Sequence, residues 1–150
     1  MVHPTRRRML AISAAAVASV AAFHPRAASA TPDEVKKWLA PGDFAAAQKG
    51  KVTITAPEIA ENGNTVPIVV AVDSPMTDAN YVKTIWIAAD GNPLPGVARF
   101  DLTPVNGEAR VEFRIRLAQT ENVIAVAQLS DGTTWTATRP VKVTIGGCGG

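Results

Sequence analysis

Histidine is almost missing from this sequence. Only two of the 150 residues are histidines, His3 and His24, and both stand within the first thirty positions. From Thr31 onward there is none. That excludes Ser-His-Asp and Cys-His nucleophilic machinery from the body of the chain and removes the commonest metal ligand. Cysteine is scarcer still. Cys148 is the only one, so neither an internal disulfide nor a Cys-x-x-Cys redox pair can form. Beyond residue 30 one methionine remains, Met76, and alone it makes no copper site. Asp73, Asp78 and Asp90 are scattered without the spacing of a calcium loop. These absences leave no resident metal centre, haem attachment or cofactor site to expect.

Long apolar runs are also lacking, with one exception near the start. Leu10 to Phe23 is alanine-rich and broken only by Ser13 and Ser19. The basic stretch Thr5-Arg6-Arg7-Arg8-Met9-Leu10 precedes it and Ala28-Ser29-Ala30 follows. A run this short, flanked this way, reads as an export signal rather than a membrane anchor. The paired arginines mark it as a twin-arginine leader, an address for folded cargo, with cleavage after Ala30. The expected location is the periplasm. Four arginines and no acids lie in residues 1–30, out of 15 basic and 13 acidic residues in all. Removing the leader leaves 120 residues with 11 basic and 13 acidic side chains, a formal charge of −2. The basic balance of the full sequence therefore belongs to the leader, and nucleic-acid binding loses its electrostatic support.

The remaining chain is one domain's length. Thr31-Pro32-Asp33-Glu34 combines a capping threonine, a first-turn proline and the glutamate of a capping box. Val35, Trp38 and Leu39 then share one helical face. Pro41-Gly42 stops this helix, and Asp43 is placed to cap a second one over Phe44–Lys49, ended by Gly50. Trp38 and Phe44 are the expected packing anchors of this N-terminal segment, 31–50.

From Lys51 the period switches to two. Strands are expected at Lys51–Ala56, Thr65–Asp73, Tyr81–Ala89, Val97–Leu102, Ala109–Leu117, Asn122–Leu129 and Thr133–Ile145, the last broken or bulged at Pro140. Val111, Phe113, Ile115 and Leu117 alternate with Glu112, Arg114 and Arg116. The charged set reads as a solvated strand face that is also suited to docking or to a small oxyanion. Asn62-Gly63, Asp90-Gly91, Asn106-Gly107 and Asp131-Gly132 punctuate the series. Asn92-Pro93-Leu94-Pro95-Gly96 is a stiff connecting loop. Seven short strands in about a hundred residues predict an all-β, immunoglobulin-like β-sandwich over 51–145, behind a short N-terminal helical segment.

The chain ends Gly146-Gly147-Cys148-Gly149-Gly150, directly after the last strand. Four glycines leave the thiol as the only side chain. Fully extended, the three residues from Gly146 to Cys148 carry the sulfur roughly 10 Å past the domain. No base or cation flanks the cysteine, so the tail suits a carrier better than a catalyst. Residues 146–150 therefore read as a flexible arm, with Cys148 as the attachment point and Gly146, Gly147, Gly149 and Gly150 supplying thinness and freedom. Two other readings compete. One is an interaction module that uses Cys148 for an intermolecular disulfide, and the other is a thiol enzyme acting alone.

On this terminal motif, the twin-arginine leader, Glu61-Asn62-Gly63 with Val66-Pro67, Asn92-Pro93 and Val126–Gly132, the sequence resembles the SoxY family. Those proteins are sulfur carriers of the periplasmic thiosulfate-oxidising system. The resemblance implies a non-enzymatic subunit paired with a SoxZ-like sandwich. It implies that Cys148 holds covalent cargo, first as an S-thiosulfonate and then as a persulfide. It also implies transient docking to SoxAX-, SoxB- and SoxCD-like enzymes.

Overall fold

The structure, a computed structural model, describes residues 29–146. The leader (apart from Ser29 and Ala30) and Gly147, Cys148, Gly149 and Gly150 lie outside the described residues.

The N-terminal helix forms as the capping pattern dictates. Helix α1 spans Pro32–Leu39. The Thr31 hydroxyl accepts from the Glu34 N–H at 3.3 Å, and Glu34 Oε2 accepts from the Thr31 N–H at 2.7 Å. The Thr31 backbone bond, followed by its hydroxyl, holds the Glu34 carboxyl below the usual carboxylate range. The expected second helix over Phe44–Lys49 is absent. Asp43 adopts a left-handed conformation (φ 50°) and makes no side-chain cap. Two 3₁₀ turns, Ala40–Gly42 and Phe44–Ala46, take its place. Gln48–Lys49 is instead strand β1, paired in parallel with Trp135 and Thr136.

Eight further strands follow: β2 Val52–Thr55, β3 Ile59–Ala60, β4 Val66–Val72, β5 Val82–Ala89, β6 Gly96–Asp101, β7 Arg110–Ile115, β8 Glu121–Leu129 and β9 Thr134–Val143. They form two sheets, β2-β4-β7 and β1-β9-β8-β5-β6, with β3 also paired along β9. The chain crosses between the sheets repeatedly, as from β4 to β5, β6 to β7 and β7 to β8. That Greek-key alternation identifies an immunoglobulin-like sandwich. Gly107 (φ 71°) and Gly132 (φ 84°) take the left-handed positions that their turns require.

Burial explains where the two-residue period fades. In β5 and β8 almost every residue is buried. Their inner faces (Ile85, Ile87, Val123, Ala125, Ala127) join the main core with Ile68 and Val70 of the facing sheet. Their outer faces (Trp86, Ala88, Ile124, Val126) are covered by Val35 and Leu39 of α1. Strands covered on both faces have no polar side to alternate with.

The anchors of α1 are therefore Val35 and the fully buried Leu39, not Trp38 and Phe44. Trp38 remains 37% exposed, donates Nε1–H to the Ile87 carbonyl at 3.0 Å, and packs against Gly96. Phe44 is half-buried at the margin of the same cluster.

The connection after α1 is equally tight. A Cβ at Gly42 would stand 2.7 Å from Trp86 Cε3 and 2.9 Å from Val126 Cγ1. Gly42→Val is expected to cost roughly 1–3 kcal/mol through overpacking. Thermal unfolding followed by circular dichroism reads this as a drop of several degrees, and an unchanged melting temperature would contradict the packing described.

Candidate functional site: the root of the C-terminal segment

Strand β9 carries the chain toward Cys148, and the way it is held decides where the cysteine starts from. Along most of its length β9 pairs with β8, from Thr134 opposite Gln128 to Val141 opposite Glu121. Beyond Val141 that partner ends, and β3 with its flanking residues, the loop after it and Thr120 take over. Lys142 N–H donates to the Glu58 carbonyl at 3.0 Å and Thr144 N–H to the Ala60 carbonyl at 3.1 Å. Val143 N–H donates to Thr120 Oγ1 at 3.0 Å, and Thr144 Oγ1–H to the Glu61 carbonyl at 3.0 Å. The Ile145 carbonyl accepts from the Gly63 N–H at 2.8 Å.

The strand runs unbroken through Pro140, contrary to the expected break or bulge. The N–H groups of Lys142 and Thr144 point away from β8 toward β3. Pro140 shares their parity, so its missing N–H falls on that outer edge. It sits between the stretches covered by β1 and β3, where no ladder bond is lost.

A second layer fixes the loops themselves. Ala118 N–H donates to Asn92 Oδ1 at 2.9 Å and to Glu121 Oε1 at 3.0 Å. Asn92 Nδ2–H donates to the Arg116 carbonyl at 2.9 Å. Leu117 N–H donates to the Gly63 carbonyl at 2.8 Å, and Gly91 N–H to Glu121 Oε2 at 2.7 Å. Asn92 and Glu121 are both buried, as paired polar groups can be. The Ala118 carbonyl then packs against Gly146 so closely that a Cβ there would collide with it. Gly146 thus closes a packed root, whatever freedom the glycines beyond it confer.

Of the residues expected to form the site, only Gly146 falls within the described part. The charged face of β7 is where the alternation placed it, and Arg110 pairs with Glu112 at 2.9 Å on the surface. Sequence reasoning missed Gly63, Asn92 and Glu121 as supports of the root. Asn62-Gly63 and Asp90-Gly91 read as turn dipeptides, yet neither glycine has positive φ. Gly91 is needed because a Cβ there would meet Glu121 Cβ at 2.7 Å, and Gly63 acts through its main chain. The one available signal was Asn92, a polar residue set between glycine and proline.

Burial pushes the Glu121 carboxyl above its ordinary value of 4.5, against the pull of the Gly91, Gln119 and Ala118 N–H groups; the charge of Asp90 adds to the rise. A raised carboxyl contributes stability that is fully present below its unfolded value and is lost as pH rises through the folded one. In Glu121→Gln an amide N–H₂ replaces one acceptor oxygen. The amide N–H₂ then faces either the Gly91 N–H, which loses its acceptor, or the Ala118 N–H, which keeps Asn92 Oδ1 but meets a second donor, at a cost of about 1–3 kcal/mol. The wild-type advantage should be largest near pH 4 and smaller at pH 8. Paired melting curves at the two values check this, and a variant as stable as wild type at both would contradict it.

Fold and root together define a class: an immunoglobulin-like sandwich whose last strand is bonded to its very end and delivers a glycine-flanked terminal cysteine. The chain belongs to the SoxY family. The family model described as "Sulfur oxidation protein SoxY" matches residues 35–148, so the match takes in α1 from Val35 onward, the sandwich and Cys148. Membership gives the chain a role in sulfur oxidation, within the periplasmic Sox system. No curated protein matches the sequence. Among solved structures, a superoxide reductase (neelaredoxin) from Ignicoccus hospitalis is similar, with 22% identity, a TM-score of 0.56, and coverage of 63% of this chain and 80% of that one. A putative superoxide reductase from Thermotoga maritima has 21% identity and a TM-score of 0.56, covering 66% and 95%. The superoxide reductase from Nanoarchaeum equitans has 12% identity and a TM-score of 0.54, covering 63% and 99%. At these identities the likeness is one of fold. Among the described residues no group of His, Cys, Asp and Glu is placed to hold a metal ion, and no helix is long and apolar enough to cross a membrane.

Proposed function

We propose that this chain is a covalent carrier of sulfur intermediates in thiosulfate oxidation. Cys148 is the attachment point, and residues 146–150 are the arm, rooted at the packed Gly146, that presents it from the sandwich of residues 51–145. The observation that carries this reading is the root. Main-chain bonds hold the chain past the end of β9 as far as Ile145, and the thiol follows only three residues later. A thiol on a thin extension from a rigid base suits delivery into other proteins' active sites, and the four glycines keep its neighbours narrow.

In this reading the cargo is first a cysteine S-thiosulfonate and, after hydrolytic release of sulfate, a persulfide. The redox and hydrolytic steps belong to SoxAX-, SoxB- and SoxCD-like enzymes, with a SoxZ-like subunit as the standing partner. Residues 1–30 are the twin-arginine leader, cleaved after Ala30, and 31–50 is the helical segment ahead of the sandwich. No resident cofactor is needed, because the chain supplies only the sulfur atom that is modified.

Non-reducing electrophoresis of the protein working in a reconstituted thiosulfate-oxidising system tests the reading. A monomeric chain with cargo on its C-terminal peptide is expected. A stable disulfide-linked dimer as the working form would favour an assembly module instead.

A further inference from the structure

One long strand edge of the sandwich is bare. Strand β7 ends the sheet β2-β4-β7 and pairs only with β4. The Val72 N–H donates to the Ala109 carbonyl at 2.9 Å, so by parity Val111, Phe113 and Ile115 also bond to β4. The N–H and C=O groups of Arg110, Glu112 and Arg114 then point the other way, and none has a partner among the described residues. The other edges are blunted. Strands β1 and β3 lie along β9, and β2 is only four residues long. Strand β6 enters after Pro95, and its register against β5 shifts between Ile87 and Ala88. Strand β7 has neither proline nor register shift.

The side chains of β7 say what fits there. On the inner face Val111 and Phe113 are only half-buried. The Phe113 ring lies 5.2 Å from that of Phe100 on β6, which ends the other sheet, so the sandwich is open along this side. On the outer face Glu108, Arg110, Glu112 and Arg114 are all exposed. Their neighbours on β4, Ala71, Val69 and Pro67, are uncharged. Asp73 and Lys51, joined by a main-chain bond, add one charge of each sign past the end of β4.

This order of signs is complementary to itself. Laid antiparallel on a second copy about Val111, Arg110 faces Glu112 of the copy and Glu108 faces Arg114 of the copy. The two-fold axis repeats both pairs, so every one of these charges meets its opposite. Arg110 also pairs with Glu112 of its own strand at 2.9 Å, so the charges about the axis alternate in sign. Neighbouring registers lack this match. Centred on Arg110 or Glu112, the strands set like charges face to face, and centred on Phe113 they set Arg110 against Arg116. In the Val111 register the outward main-chain groups of Arg110 and Glu112 bond across the axis, Val111 meets its own copy, and Phe113 faces the small Ala109.

We propose that two copies of this chain associate through β7, non-covalently and antiparallel about Val111, to form one continuous sheet across both sandwiches. This goes beyond the carrier reading and does not depend on it. A single strand edge buries little surface, so the association is weak and depends on concentration.

Sedimentation velocity of the exported chain carrying Cys148→Ser, so that no disulfide contributes, tests this. A reversible dimer is expected at protein concentrations on the order of 100 μM in about 10 mM salt, weakening in about 1 M salt. Amide exchange of Arg110, Glu112 and Arg114 should slow as it forms. Arg110→Glu and Glu112→Arg each turn the Arg110–Glu112 pairs into like charges and should weaken the dimer roughly tenfold or more. Mixed together, the two variants set opposite signs at every facing position, so each should pair with the other although neither pairs with itself. The double variant Arg110→Glu with Glu112→Arg keeps the net charge and should regain the dimer. A chain still monomeric at about 1 mM, a dimer indifferent to both single variants, or a mixture that fails to pair would overturn the proposal. So would protection of these amides that appears only when a different protein is added, which would give the edge to that partner.

Discussion

Cys148→Ser is expected to abolish sulfur loading altogether while leaving the melting temperature unchanged. The hydroxyl of serine forms neither a persulfide nor an S-thiosulfonate, so no partial activity should remain. The fold should not notice the change. The described core clusters are built from α1 and the two sheets, and the hydrogen bonds that end the strand come from residues up to Ile145. Mass analysis of the variant after incubation with thiosulfate and its oxidising partner enzyme reads the loading, and a melting curve reads the fold. Sulfur bound elsewhere on Cys148→Ser would sink the attachment assignment.

The second large effect is expected at Gly146. A Cβ there runs into the Ala118 carbonyl, which is main chain and cannot swing aside as a side chain would. Ala118 is further fixed through its own N–H, which is shared between Asn92 and Glu121. Gly146→Val must therefore lift the last strand from its seat and redirect everything beyond it. Sulfur turnover should fall roughly tenfold or more, since small misplacements of a reacting group are costly. Stability should fall by about 1–3 kcal/mol. Alkylation of Cys148 by iodoacetamide separates misdirection from occlusion: it should proceed at least as fast as in wild type. Full turnover with an unaltered melting temperature would show that the seat is not needed.

Every strand of more than two residues is legible: the two-residue period marks those with one open face, and short apolar, β-branched runs bounded by turn residues mark β5 and β8, which are covered on both faces. The pattern fails where pairing is main chain only. Strands β1 and β3 are two residues each and parallel to β9, too short for any side-chain pattern to form. The expected second helix fails for a related reason. Alanines over 45–47 favour a helix locally, but the left-handed turn at Asp43 and the pairing of Gln48 and Lys49 with β9 prevail. Trp38 has the size of a core anchor, yet α1 crosses the sheet with Val35 and Leu39 inward and Trp38 over Gly96.

The terminal cysteine stands out in the sequence by position alone. Its support does not. Gly63 acts through its N–H and carbonyl, Ala118 through a carbonyl, and Asn92 through bonds to residues 24 and 26 positions away. None of these leaves a periodic trace. Glu121 opens β8 as an acid in a buried position, made tolerable by the N–H of Ala118, three residues before it, and that of Gly91, thirty residues away.

The most direct test of the carrier account is the intact mass of the protein purified without reductant from cells oxidising thiosulfate, with the adduct mapped by peptide. The account predicts a chain beginning at Thr31 with a thiosulfonate or polysulfane on the C-terminal peptide. A free thiol, or only a protein–protein disulfide, while thiosulfate is being consumed would contradict it.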